Sequence, residues 1–174
     1  MKTRGQISIK DVVKIYDPDG AAVMAVDHCS LEIAAGEICM IVGPSGCGKT
    51  TLLNAIAGFH SINSGSIYMD GEMLCGPGKP KAKPGSDRIV VFQNGALFPW
   101  KNVIDNVTFG PVMQGKLSVA EAKEKALSMM SDAGLSGTEN NFPGELSSGV
   151  KRRVEIVRAL MNDPAVLLLD EPYR

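Results

Sequence analysis

An α/β fold built around a phosphate-binding loop is what this sequence predicts, on three observations. The first is the run Gly43-Pro44-Ser45-Gly46-Cys47-Gly48-Lys49-Thr50, which has the spacing G-x-x-x-x-G-K-[ST]. The second is its setting. Ile38-Cys39-Met40-Ile41-Val42 is a short apolar run suited to a buried strand, and Thr51 to Ala57 continues as a helix that stops at Gly58. The third is Ala165-Val166-Leu167-Leu168-Leu169, a fully apolar strand leading straight into Asp170-Glu171. Carboxylates at the carboxyl end of a strand in an open α/β sheet lie where such sheets bind ligands.

The spacing of the loop encodes a mechanism. Gly43, Gly46 and Gly48 let the backbone curl so that successive N–H groups point at one anion. Lys49 adds a point charge for the β- and γ-phosphates of a nucleotide, and Thr50 offers a hydroxyl to Mg²⁺. Cys47 inside the loop is either a reactive thiol or a small filler. Of the acidic pair, one carboxylate can hold Mg²⁺, directly or through water, and the other can take a proton from an attacking water.

The elements follow in order. Gln6 to Lys10 alternates, Val12 to Tyr16 is rich in β-formers, and Asp17-Pro18-Asp19-Gly20 is a turn signal. Ala25 to Ile33 reads as a strand, followed by a turn at Ala35-Gly36-Glu37. Ser66 to Met69 is a strand that ends in Asp70-Gly71. Residues 76–86 are a loop, because their prolines and glycines forbid regular structure. Arg88 to Phe92 is a short apolar strand with Gln93 at its end. Ser118-Val119-Ala120-Glu121 has capping-box spacing and opens a helix that runs to Gly134. Asn140 to Gly144 is a loop. A second helix starts near Ser148, its apolar stripe Val150, Val154, Val157 and Met161, and ends at Asn162-Asp163-Pro164.

Bulk properties exclude several classes. The 174 residues suit one domain with a real core, and the net charge of −1 gives no basic field for nucleic acid. No apolar run is long enough to cross a bilayer, and Met1 to Lys10 has no signal-peptide core. The expected location is the cytoplasm. Cys29, Cys39, Cys47 and Cys75 lack C-x-x-C spacing, which argues for free thiols in a reducing compartment rather than a zinc site.

Leu146-Ser147-Ser148-Gly149-Val150 is followed by Lys151-Arg152-Arg153. Positive charge in the first turn of a helix opposes its dipole, and the arrangement suits an anion docked at that end; otherwise Ser147 is a helix cap beside three solvated cations. With this segment the chain resembles, over nearly its whole length, the nucleotide-binding subunit of an ATP-binding cassette (ABC) transporter. Gly43 to Thr50 is similar to the Walker A motif, Gln93 to the Q-loop glutamine, Leu146 to Val150 to the family signature, and Val166 to Pro172 to Walker B. Tyr16 lies where the family has an aromatic residue that stacks on adenine; it is otherwise an ordinary strand tyrosine.

The resemblance implies a P-loop NTPase (RecA-like) core with an antiparallel β subdomain and an inserted α-helical subdomain. Residues 1–93 and 154–174 would form the core with its β subdomain, and 94–153 the helical part. Tyr16, the loop Gly43, Pro44, Ser45, Gly46, Cys47, Gly48, Lys49, Thr50, and Thr51 would bind ATP. Thr50, Gln93 and Asp170 would hold Mg²⁺, and Glu171 would be the general base. Ser147, Ser148 and Gly149 would contact ATP on a second ATPase subunit in a head-to-tail dimer. Residues 94–107 would face a transmembrane permease, placing the subunit peripherally on the cytoplasmic face of the inner membrane, with a solute-binding protein as an indirect partner. Pro99-Trp100-Lys101-Asn102-Val103 is similar to importers of nitrate, sulfonates and taurine.

Two departures stand out. The signature usually reads Leu-Ser-Gly-Gly-Gln, and here Ser148 and Val150 replace the first glycine and the glutamine. Ser148 weakens the contact if the backbone there needs a glycine, and caps the helix if it does not. The chain also stops just past Walker B, so the domain is expected to be incomplete at its C-terminus, without the switch histidine; His28 and His60 lie too far upstream to take that role. The Walker B strand, apolar on both faces, should then be left open. An ATP-hydrolysing importer subunit is the leading reading. A truncated nucleotide-binding or regulatory module with little hydrolysis is the second. A DNA-directed ABC ATPase is a third, disfavoured by the charge and by the segment after Gln93.

Overall fold

The computed structural model describes residues 4–172, in two compact units that divide after Arg88. The first unit is a four-stranded antiparallel sheet with one helix. Strands β1 (Ile7–Tyr16), β2 (Val23–Ile33), β3 (Ser64–Met69) and β4 (Glu72–Cys75) lie in the order β2-β1-β3-β4, and helix α1 (Lys49–Ala57) lies against β2. β1 is central because it alternates. Ile7 and Ile9 point inward at 2% and 1% exposure, and a register shift between Ile9 and Val12 turns Val12 inward as well. The two runs expected around Asp11 are therefore one strand, bent at a bulge where Asp11 takes φ +52°. Asp17 organises the turn that follows: its carbonyl accepts from the N–H groups of Gly20 and Ala22. Asp70 (φ +51°) and Gly71 (φ +84°) make the tight β3–β4 hairpin, as Asp-Gly predicts.

One expected strand does not form. Residues 38–42 belong to neither sheet, and Ile38, Met40 and Val42 are 94%, 78% and 79% exposed. A strand is stable only when its backbone finds a ladder and its side chains find a face. Within the first unit the antiparallel sheet supplies neither.

The second unit is mainly helical. Strand β5 (Arg88–Val91) pairs with β6 (Val166–Leu169), and α2 (Val103–Met113), α3 (Val119–Asp132) and α4 (Ser148–Leu160) surround one core. That core is Val103, Val107, Ala122, Ala126, Met130, Val154, Val157 and Met161, all 4% exposed or less. The predicted stripe of α4 is thus its buried face. Ser118 and Glu121 form the predicted capping box, and Gly134 (φ +64°) follows α3. Strand β6 is half-buried, with Leu169 38% exposed.

Helix α2 is absent from the sequence reading. Its β-branched residues and Pro111 argue against a helix by propensity. Packing overrides this, since Val103, Ile104, Val107 and Pro111 are buried, and Asn102 caps its start by accepting from the Asp105 N–H. No helix among the described residues is long and apolar enough to cross a membrane.

Candidate nucleotide-binding site

The phosphate loop is shaped by two glycines in left-handed backbone and a third, Gly43, packed against a side chain that can shift. Gly46 and Gly48 sit at φ +83° and +93°. A Cβ on Gly48 would lie 2.0 Å from the Ala25 carbonyl oxygen, and one on Gly43 would lie 2.7 Å from Cys47 Sγ. The Lys49 ammonium donates to the carbonyls of Gly43 and Pro44, both at 2.7 Å, which arches the loop around it. Cys47 Sγ lies 3.7 Å from the same ammonium and faces solvent.

Helix α1 starts directly at Lys49. Its N-cap, Gly48, has no side chain to cap it, and its first turn holds no acidic residue. The helix therefore presents its leading N–H groups and the positive end of its dipole without a built-in carboxylate. Together with the lysine, this donor set fits the triphosphate of a nucleotide. Thr50 and Thr51 fall in the same first turn. The Tyr16 hydroxyl reaches Thr51 Oγ1 at 3.5 Å, which places the tyrosine beside the phosphate helix.

In the second unit the Gln93 side-chain amide donates to Glu171 Oε2 at 2.7 Å. The carboxylate proposed from sequence as a base and the glutamine at the end of β5 are thereby brought together across 78 positions of chain. Glu171 takes φ +44°, a left-handed conformation that few residues without a short polar side chain adopt, and that concentrates at functional sites. The Asp170 N–H donates to the Val91 carbonyl, so β6 delivers the acidic pair in register with β5.

Ser147, Ser148 and Gly149 are exposed at the start of α4. Ser147 is the cap, its Oγ accepting from the Val150 N–H at 3.4 Å. Ser148 is the first helical residue and has no positive φ, so this position needs no glycine; the serine strains nothing, and it is not the cap.

The three cations after the signature correct the reading of solvated charge. Arg152 donates to the carbonyls of Phe92 (2.6 Å) and Gln93 (3.0 Å) and pairs with Glu155 at 3.0 Å. Arg153 donates to the carbonyls of Ala133 and Gly134 at the end of α3, where a helix leaves carbonyls unpaired. Two of the three, both in the second turn of α4, are thus engaged inside the unit.

Sequence reasoning missed Glu155 and Arg158. Glu155 Oε1 accepts from the Ala96 N–H at 2.7 Å, and Arg158 donates to the Ala96 carbonyl at 2.6 Å. Arg152, Glu155 and Arg158 share one face of α4 at a spacing of three, and that face holds the loop after Gln93. A charged residue next to Val154 in an apolar stripe was the available signal.

Beyond Gln93, Phe98 packs between Phe109 (centroids 4.9 Å apart) and the Arg158 guanidinium (4.2 Å), while Trp100 stays 71% exposed. Phe98 is thus taken up in packing within the unit, Trp100 included at 5.5 Å between centroids. The exposed aromatic is Trp100.

A phosphate loop on a helix N-terminus, a glutamine bonded to a glutamate after an apolar strand, and an exposed signature at the start of a helix define an ATP-binding cassette. The chain belongs to the ABC transporter family: residues 26–174 match its family model. Its relatives include an uncharacterised ABC transporter ATP-binding protein of Methanocaldococcus jannaschii, 40% identical over 97% of this chain and 60% of the relative. The taurine import ATP-binding protein TauB of Yersinia pestis is 46% identical over 86% of this chain and 55% of the relative. The chain therefore spans little more than half the length of these relatives. Among solved structures, a dimeric ATP-binding cassette in a post-hydrolysis state bound to ADP and Pi matches with a TM-score of 0.83 at 30% identity, over 96% of this chain and 74% of that one.

Proposed function

We propose that this chain is the ATP-binding and ATP-hydrolysing part of an importer for a small solute of the nitrate, sulfonate or taurine kind. The observation that carries the reading is the phosphate loop: a Gly48 turn that admits no Cβ, leading into an uncapped helix with Lys49 at its mouth. Lys49 and the loop amides bind the triphosphate, and Tyr16 stacks on the base. Thr50, Gln93 and Asp170 would hold Mg²⁺, which would neutralise charge on the phosphates. Glu171 takes the proton of the attacking water, oriented by its hydrogen bond to Gln93. Ser147, Ser148 and Gly149 reach the nucleotide of a second subunit, a role supported by their exposure and by the dimeric state of the solved relative. Residues 94–107 dock on a permease at the cytoplasmic face of the membrane, with Trp100 as the exposed anchor. The taurine specificity draws its support from the TauB relatives.

The altered signature favours a second reading, a module that binds nucleotide with little turnover, because Ser148 and Val150 stand where the family has a glycine and a glutamine. Both readings require binding, so binding comes first. Mg-ATP at a hundred times its dissociation constant should stabilise the fold by about 2.7 kcal/mol. A thermal melt with and without Mg-ATP should show the rise in the wild type and lose it in Lys49→Ala. An unshifted wild-type melt at millimolar Mg-ATP would remove both readings.

A further inference from the structure

Tyr16 is held by more than its own strand. The loop after α1 is laced to the end of β1: the Asn63 N–H donates to the Val13 carbonyl and the Ile15 N–H to Asn63 Oδ1, both at 2.8 Å. Lys14 Nζ donates to Ser61 Oγ at 3.3 Å. The same loop brings His60 Nδ1 to 2.7 Å from the Tyr16 hydroxyl, with the imidazole edge-on to the phenol ring at 90° and 5.9 Å between centroids. The Lys14 ammonium lies over one face of that ring, 5.0 Å from its centre. Hydroxyl, edge and one face are thus engaged, yet Tyr16 remains 37% exposed. Stacking is confined to the opposite face.

We propose that His60, with Lys14, is a positioning residue that fixes the Tyr16 ring as the platform for the purine base of the bound nucleotide. This rests on the nucleotide-binding reading above. The physical reason is preorganisation. A ring already held in one orientation loses less freedom when a flat ligand stacks on it, and an ammonium on the far face keeps the ring from turning that face outward. His60 touches neither phosphate nor base; it acts through the phenol. Its effect should therefore appear only with ligands that carry a base.

The test is calorimetric titration of the chain with Mg-ATP and, separately, with Mg-tripolyphosphate, which has the phosphates and no base. Stacking of a base on an aromatic ring contributes enough that losing its preorganisation should weaken Mg-ATP roughly three- to tenfold in His60→Ala. Tripolyphosphate affinity should not change. Tyr16→Phe keeps the ring and removes the hydroxyl with its contacts to His60 and Thr51, so it should weaken Mg-ATP at least as much as His60→Ala, and the double variant should be no weaker than Tyr16→Phe. His60→Asn places an amide atom near the position of Nδ1 and should restore binding. Equal weakening of both ligands would make His60 a support for the loop and overturn the proposal, as would unchanged ATP affinity in His60→Ala and Tyr16→Phe. A wild type that binds neither ligand would instead fail the nucleotide-binding reading, and this inference with it.

Discussion

At the scale of single residues, the structure pairs groups that the chain keeps far apart. His28 and Asp11 show this most directly. Both sit in left-handed backbone at the β1–β2 bulge, with His28 Nδ1 2.7 Å from Asp11 Oδ1. The hydrogen bond that the imidazole donates to Asp11, reinforced by the charge of the carboxylate, holds its pKa above the ordinary 6.5. A raised folded-state pKa means that the pair stabilises the fold fully below the unfolded value and loses that contribution as pH rises through the folded one. Both side chains are exposed, so the effect on stability is small. The readout is NMR titration: the His28 ring should titrate above 6.5 and fall back toward it in Asp11→Asn, which tolerates the same backbone. An unchanged titration in the variant would mean that the carboxylate is not the cause. The loop glycines and Lys49 were legible from spacing alone, because the chemistry is local to eight residues. Gln93 with Glu171, and Tyr16 with His60, were legible only as separate candidates. Each pair is made by the path of the chain between its members.

Among the elements, α4 carries the most structure per residue. One face fills the core with Val154, Val157 and Met161. Another holds the loop after Gln93 through Arg152, Glu155 and Arg158. Glu155 is 9% exposed and accepts from both Arg152 and the Ala96 N–H. Gly95, at φ +72°, lets the backbone approach it, since a Cβ there would lie 2.8 Å from Glu155 Oε1. Glu155→Ala leaves a mostly buried guanidinium and an amide without their acceptor and should cost about 3 kcal/mol in urea unfolding. Glu155→Gln keeps an acceptor oxygen and should cost clearly less. Equal losses would show that packing, not hydrogen bonding, is what the residue provides. Element prediction succeeded where start signals and periodicity agreed, as for α3 with its Ser118–Glu121 box. It failed for α2, where Val, Ile, Thr and Pro are poor helix formers and only burial against α3 and α4 selects the helix.

For the whole molecule, the open choice is between turnover and binding alone. Under the proposed function it turns on Glu171, which sits at the end of β6 bonded to Gln93. In a hydrolytic cassette, Glu171→Gln keeps the hydrogen bond and removes the base. Gel filtration after incubation with Mg-ATP should then show the variant retaining unhydrolysed ATP and running as a dimer, while the wild type releases phosphate and does not. Equal ATP retention by both proteins, with no phosphate released by either, would decide for the module that binds without turnover.

The sequence by itself determined the phosphate loop, the helix that follows it, the capping box of α3, the inward stripe of α4 and the family to which the chain belongs. The elements depend on spacings within one or two turns of chain, where geometry is set by the residues present, and the family on the order of several such short motifs along the chain. Only the tertiary structure decided that residues 38–42 stay outside both sheets, that residues 103–113 are helical, that Ser148 needs no glycine, and that Arg152 and Arg153 serve the fold. A strand needs a ladder, a poor helix former needs a core, and a charge needs a partner. Apart from Ser148, where the backbone angle itself decides, the deciding groups lie outside the segment, where local pattern carries no record of them.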